Sequence, residues 1–151
     1  MREVVSTLEA RSRQVEAAPA SISRPYSVMT SLLGLPPPAT VPARYDEVLL
    51  EQVDELSSDG ALILAVDDLD LADAESLQML ERLIAGSSVS PIAVLGTIRT
   101  GQQRDEVARF IARSQVAILD VPPFDLLDLD AWCTSTRGIG QTQQCARCSR
   151  R

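Results

Sequence analysis

The sequence predicts an α/β protein built on a parallel sheet. Short, continuous apolar runs recur at 61–66, 91–98 and 115–121, and such runs are typical of strands that are buried on both faces. Stretches with helical spacing separate these runs, so strand and helix alternate along the chain. The expected arrangement is therefore βαβαβ with right-handed crossovers.

Three helices are expected before the first of these strands. Residues 3–17 carry valine and leucine at a roughly helical spacing. A short helix over 26–34 would end at Gly34, because glycine favours a helix C-terminus. After the proline-rich loop 36–42, the segment 43–58 has an apolar stripe opposite its acids, as expected of an amphipathic helix.

Two helices link the three strands. Asp73 can N-cap a helix that runs to about Gly86, and a second helix is predicted over 104–114. We therefore divide the chain into three parts. They are an irregular or helical N-terminal segment (1–42), a core (43–130) and a tail that we expect to be disordered (131–151).

Composition excludes several classes of function. The chain has 151 residues, about one domain, and a net charge of −7, which argues against binding nucleic acid. No apolar run approaches the roughly 18 residues that cross a bilayer, and no secretory signal is evident. We expect a cytoplasmic protein whose partners are other protein chains, with neither nucleic acid nor membrane bound by this segment.

The basic residues and the tail are unusual. All 14 basic residues are arginine, so there is no lysine, and there is no histidine. The tail holds four arginines, all three cysteines and no acid. This abrupt change of composition leads to the hypothesis that the tail is translated out of frame.

A pair of carboxylates follows the first apolar run, in "LILAVDDLDLAD". Asp67 and Asp68 lie where a buried strand ends, and the ligand crevice of an open α/β sheet lies at the carboxyl ends of its strands. In a Walker B element the first acid holds Mg²⁺, largely through water, and the second orients the water that attacks a phosphate. The alternative is that both acids only form a turn and cap the next helix.

The next strand ends in "GTIRT", which places Thr97 and Arg99 at the same edge of the sheet. A hydroxyl and a guanidinium at this position can hydrogen-bond a phosphate bound beside the neighbouring strand. A polar junction with a surface arginine is the alternative interpretation.

The combination of "LILAVDDLDLADAESLQMLERLI", "PIAVLGTIRT" and "AILDVPPFDLLDLDAW" resembles the ATPase core of STAND signal-transduction NTPases. These are AAA-like P-loop domains of large LuxR-type transcriptional regulators, which switch with ATP. The resemblance covers about 61–132, and "PYSVMTSLLGLP" adds to it. It implies Mg²⁺ and ATP as cofactors, Asp67 as metal ligand, Asp68 as catalytic acid, and Thr97 and Arg99 as the sensor pair.

The sequence departs from this family in one major respect. No G-x-x-x-x-G-K-[ST] loop is present, and without lysine none can be built. In the family the strand before that loop lies between the sensor strand and the strand that we place at 116–120. We therefore expect a truncated, incomplete P-loop NTPase-like three-layer sandwich that lacks its central strand and does not hydrolyse ATP alone.

Two other functions stay open. The chain can be a non-enzymatic, acidic α/β module that binds a partner protein, in which the acids serve solubility and capping. It can also be a fragment with no function of its own.

Overall fold

Three parallel strands form the sheet of this protein in the computed structural model, which describes residues 11–86, 91–101 and 104–123. The strands are β1 (Arg11–Glu16), β2 (Leu62–Asp67) and β3 (Ile92–Gly96). The helices are α1 (Ser27–Leu33), α2 (Tyr45–Ser57), α3 (Ala74–Gly86) and α4 (Asp105–Ser114). Short 3₁₀ turns lie at Pro19–Ser21 and Leu69–Leu71.

The central strand is β2, which pairs in parallel with β1 on one side and with β3 on the other. It is buried on both faces, as its apolar sequence requires. One face, with Leu62, Leu64 and Val66, lies in a hydrophobic core to which all four helices contribute. Ile63 and Ala65 are buried on the opposite face. The predicted α/β class with a parallel sheet is confirmed.

The segment Arg11–Glu16 corrects the predicted helix over 3–17, because it is a strand. Its sequence, RSRQVE, has few apolar residues, so its pattern does not indicate a strand. The reason for the strand lies in β2, whose backbone N–H and C=O groups are buried and need partners on both sides. Residues 3–10 lie outside the described part of the chain.

The predicted strand over 115–121 is also wrong, since these residues form no strand. The side chains of Ile118, Leu119 and Val121 are 63%, 87% and 90% exposed. A strand forms only beside a partner that takes its hydrogen bonds, and in the predicted layout the neighbour of this segment was the absent central strand. The described sheet is therefore one continuous set of three strands.

The described residues divide into two compact units. The first ends at Val116 and contains the whole sheet and all four helices, and the second begins at Ala117. The acidic run 125–130 and the tail 131–151 lie outside the described residues, so the predictions made for them stay predictions.

The helices α1 to α4 confirm the predicted ones to within one or two residues at each end. Gly34 ends α1 with a φ of +71°, a left-handed conformation that glycine adopts without strain. The rings of Tyr26 and Tyr45 meet edge to face, 5.3 Å apart, and join the starts of α1 and α2. Within the described ranges, no helix is both long and apolar enough to cross a membrane.

Candidate functional site

The candidate site lies at the carboxyl edge of the sheet, where β2 and β3 end side by side. Asp67 is the last residue of β2, and Thr97 directly follows β3. Asp68 then reverses the chain with a φ of +54°, a left-handed conformation that aspartate tolerates better than most residues. The turn brings the acids after β2 against the polar residues after β3.

Thr97 stabilises this turn by hydrogen bonds of both its backbone and its side chain. Its N–H donates to the carbonyl of Val66 at 3.1 Å, and its carbonyl accepts from the N–H of Leu69 at 2.8 Å. Its hydroxyl donates to Oδ1 of Asp67 and accepts from the N–H of Asp68 at 3.0 Å. The two segments that the sequence analysis paired are thus joined by four hydrogen bonds.

These bonds determine what the Thr97 hydroxyl can still do. A hydroxyl has one proton to donate and two lone pairs. The proton is used on Asp67 and one lone pair is used by Asp68. Thr97 therefore has no proton left for a phosphate unless it releases Asp67. The geometry makes Thr97 a positioning residue for Asp67 rather than a free sensor.

Arg99 faces the same turn but is held by an acid that the sequence analysis did not select. Its Nε and Nη2 donate to Oδ2 of Asp70 at 3.1 and 2.8 Å. Oδ1 of Asp68 lies 3.9 Å from the Arg99 Nε. The hydrogen bonds that Arg99 donates to Asp70, and after them the charges of Asp70 and Asp68, raise the pKa of the Arg99 guanidinium. The side chain is nevertheless 63% exposed, so its outer face remains open to a ligand.

Asp70 is the buried member of the cluster, and a second arginine closes the turn around it. Arg104, at the start of α4, donates through Nε to the carbonyl of Asp70 at 3.0 Å and through Nη2 to the carbonyl of Ala72. Oδ1 of Asp70 is buried and has no hydrogen-bond partner in the part of the chain that the structure describes. The third acid of "DDLD" was the only sequence signal for Asp70, because its contact with Arg99 depends on the turn at Asp68.

Gly96 allows the turn to pack closely on the end of β3. A Cβ built on Gly96 would lie 3.0 Å from Cδ2 of Leu69. Any other residue would therefore require the Leu69 side chain to shift by a few tenths of an ångström. The glycine of "GTIRT" thus has a packing role, which the sequence analysis did not assign.

The described residues suit a hydrated cation better than a nucleotide phosphate. Oδ1 of Asp67 is bound to Thr97, and Oδ2 carries no hydrogen bond in the described structure. Mg²⁺ in proteins often binds one or two carboxylates and keeps its waters, so Asp67 fits such an ion. No group of three or more His, Cys, Asp or Glu side chains is arranged to hold a metal among the described residues.

A triphosphate, in contrast, does not fit these residues alone. A phosphate-binding turn offers free backbone N–H groups and a cation. Here the N–H groups of Asp68 and Leu69 are used by Thr97, and that of Leu71 donates to the carbonyl of Asp68. With lysine absent, the exposed side of Arg99 is the main donor left at the turn.

The structure thus brings together all four residues selected from the sequence: Asp67, Asp68, Thr97 and Arg99. Their roles in metal binding and hydrolysis stay predictions. A scan against models of known protein families and a search of curated proteins return no match to this chain.

Proposed function

We propose that this chain provides the metal and acid side of a nucleotide-dependent switch. The switch would be of the STAND or AAA-like type found in LuxR-type transcriptional regulators, acting in the cytoplasm. The sheet β1-β2-β3 would then be part of a P-loop NTPase-like three-layer sandwich. The chain on its own would not hydrolyse ATP.

The observation that supports this proposal is the hydrogen bond between the Thr97 hydroxyl and the Asp67 carboxylate, which we call the clamp. The resemblance pairs an acid after one strand with a threonine and an arginine after the next, and the hydroxyl of Thr97 does bond the carboxylate of Asp67. The clamp uses Oδ1 of Asp67 and leaves Oδ2 for a metal-bound water. Asp68, with its side chain 38% exposed, is open to a second water.

The lack of phosphate donors limits what the chain does alone. The positive charge and the N–H groups that a triphosphate needs would have to come from another segment, in this polypeptide or in a second one. In that case Asp67→Asn would abolish switching only in the completed assembly.

A non-enzymatic role is the second candidate, and a specific observation favours it. The N–H groups of Asp68, Leu69 and Leu71 and one side of Arg99 are all used inside the fold, so the acids can serve structure alone. In this case Asp67→Asn changes stability modestly and leaves partner binding unaltered.

Binding of Mn²⁺, followed by electron paramagnetic resonance, tests the metal side of the proposal. We expect weak Mn²⁺ binding to the wild-type chain that is lost in Asp67→Asn. Asp54→Asn, on the exposed face of α2, is the matched control because it removes the same charge away from the site. No Mn²⁺ binding by the wild-type chain, or equal binding by both variants, would contradict the metal site.

Calorimetry with Mg-ATP tests the nucleotide side separately. Because the sequence has no P-loop and the described turn leaves mainly Arg99 to bind a phosphate, we expect no measurable heat of binding for the isolated chain. Micromolar affinity for Mg-ATP would mean that these residues hold the phosphates without a P-loop. The proposal that this chain provides only the metal and acid side of the site would then be wrong.

A further inference from the structure

The turn between α2 and β2 contains the only Asp-Gly sequence of the chain, Asp59-Gly60, and the chain has no asparagine. Both residues are exposed, and the side chain of Asp59 is 67% exposed. A Cβ built on Gly60 would meet no heavy atom of the described chain within 4 Å, its two chain neighbours aside. The space that a bent side chain needs beside the Gly60 nitrogen is therefore open.

An aspartate that precedes a glycine can react with the backbone that follows it, because glycine has no side chain that blocks the approach. The nitrogen of the glycine loses its proton and bonds to Cγ of the aspartate, while one carboxyl oxygen leaves as water and a succinimide ring forms. Water then opens the ring at either of its two carbonyls. One product is aspartate again, and the other is isoaspartate, in which the main chain runs through Cβ and Cγ. Water is the only other reactant, and the mass and the net charge are unchanged at the end.

Two contacts of the fold restrain this reaction at Asp59. Arg11 donates from Nη2 to Oδ2 of Asp59 at 2.9 Å, and a side chain bonded to a neighbouring strand moves onto the Gly60 nitrogen less often. The N–H of Gly60 donates to the carbonyl of Ser57 at 3.2 Å, so the proton that must leave is held at the end of α2. The register of the sheet explains the first contact, since Arg11 pairs with Leu62, the first residue of β2.

We propose that Asp59 is a site of spontaneous isoaspartate formation, which Arg11 and Ser57 slow in the folded chain. The restraint by Arg11 is weak, because water readily opens an ion pair whose side chains are 54% and 67% exposed. The reaction therefore proceeds slowly in the native protein, and it is faster once the turn or the whole chain unfolds. This inference does not depend on the proposed nucleotide role.

The product changes the segment that leads into the central strand. Isoaspartate adds one carbon atom to the main chain shortly before Leu62, whose N–H donates to the carbonyl of Pro91 at 2.9 Å. A longer connection from α2 displaces this first bond between β2 and the chain at the start of β3. The other end of β2 is held by its own bond, from the N–H of Thr97 to the carbonyl of Val66. We therefore expect disruption at the amino end of β2 and not at its carboxyl edge.

Incubation of the purified chain for several weeks at neutral pH and constant warmth tests the proposed site. Isoaspartate is quantified by enzymatic methylation of its free α-carboxyl group and located by electron-transfer fragmentation in a mass spectrometer. Because the chain has one Asp-Gly sequence and no asparagine, we expect the signal chiefly at Asp59. Asp59→Glu keeps the charge but would have to close a larger ring, so it should remove this signal.

Two arginines of β1 give a matched pair of variants that test the restraint. Arg11→Gln removes the partner of Asp59, and Arg13→Gln removes the same charge from the same strand, where both side chains are exposed. We expect isoaspartate to accumulate about two to five times faster in Arg11→Gln than in the wild type, and at the wild-type rate in Arg13→Gln. In concentrated urea, where neither contact exists, the wild type and both arginine variants should react at one common, higher rate.

Amide hydrogen exchange of an aged wild-type sample tests the structural consequence without any variant. The N–H of Leu62 should lose protection in proportion to the isoaspartate content, while that of Thr97 should keep it, and unchanged protection of Leu62 would overturn this consequence. No isoaspartate at Asp59 after prolonged incubation, or a larger amount at another aspartate, would overturn the proposed site. Equal rates in Arg11→Gln and Arg13→Gln, or a rate that urea leaves unchanged, would overturn the proposed restraint.

Discussion

Asp73 and the three acids that precede it, Asp67, Asp68 and Asp70, differ in how fully the fold uses their carboxylate oxygens. Asp73 is fully buried and accepts four hydrogen bonds. Its Oδ1 accepts from the N–H groups of Tyr26 and Ser76, each at 2.8 Å. Its Oδ2 accepts from the N–H of Val28 and the hydroxyl of Ser27, each at 3.1 Å. It thereby caps α3, its own helix, and also the start of α1.

The carboxylates six or fewer residues earlier are less completely satisfied. Among the described residues, Asp67 Oδ2 has no hydrogen-bond partner, Asp68 has one long ion pair with Arg99, and Asp70 has a buried oxygen without a partner. A buried charge whose lone pairs are all used by fixed donors serves the fold. Acids with unused capacity at a strand end are the ones available to a ligand. Within seven residues of sequence, one acid is fully used by the fold and three keep oxygens that a ligand could reach.

Asp73→Ala should have the largest effect. It removes the caps of two helices and leaves buried N–H groups of Val28 and Ser76 without acceptors. We expect the free energy of unfolding to fall by about 3 kcal/mol, measured by urea denaturation with circular dichroism. Asp54→Ala, which removes an exposed acid from α2, should stay within about 0.5 kcal/mol of the wild-type value. A loss below about 1 kcal/mol for Asp73→Ala would mean that water replaces the carboxylate, and the distinction drawn above would fail.

Thr97→Val should have a smaller effect on stability and a separate effect on the site. The valine keeps the shape of threonine but removes the hydroxyl that joins Asp67 to Asp68. Since Thr97 is exposed, water can replace part of the bonding, and we expect a loss of about 1 kcal/mol together with weaker Mn²⁺ binding. Thr97→Ser keeps the hydroxyl and should restore both. If stability falls while the Mn²⁺ titration is unchanged, Thr97 fastens the turn without positioning a ligand.

The sequence alone predicted those elements whose structure is determined by their own residues. The apolar runs of β2 and β3 and the stripes of the helices are such cases, and so is Asp73 as the cap of α3. The contact of Asp67 with Thr97 was also predictable, because the carboxyl ends of neighbouring parallel strands meet at one edge.

The features that the sequence did not predict depend on contacts between residues that are far apart in the chain. β1 is a strand because β2 needs hydrogen bonds on that side, and its own side chains give little sign of it. The second role of Asp73 joins residues more than 40 positions apart, and no local pattern reveals such a pair. Asp70 meets Arg99 only because Asp68 adopts a left-handed conformation. The segment 115–121 shows the reverse case, because a sequence typical of a strand has no neighbouring strand among the described residues.

The exposed carboxylate of Asp46 extends the comparison to the surface, where we expect the smallest effect. A hydrogen bond from Arg82, and then the charge of that arginine, lower the pKa of Asp46 from the ordinary 3.8. A carboxyl group with a lowered folded-state pKa stabilises the fold above its unfolded pKa. That contribution is lost as the pH falls below about 4 and passes through the lowered value. Arg82→Gln should therefore flatten the fall in stability over this acid range.

Arg44→Gln is the matched control for this surface pair. Arg44 lies 3.7 Å from Glu47 in an exposed ion pair without a hydrogen bond, and surface pairs of this kind contribute little. The Arg44→Gln substitution removes the same positive charge near α2 as Arg82→Gln does. The dependence of its stability on acid pH should therefore follow that of the wild type. Carbon-detected NMR titration of the Asp46 carboxyl should move its midpoint upward toward 3.8 in Arg82→Gln alone. An equal movement in both variants would mean that net charge, and not the bond from Arg82, holds the pKa down.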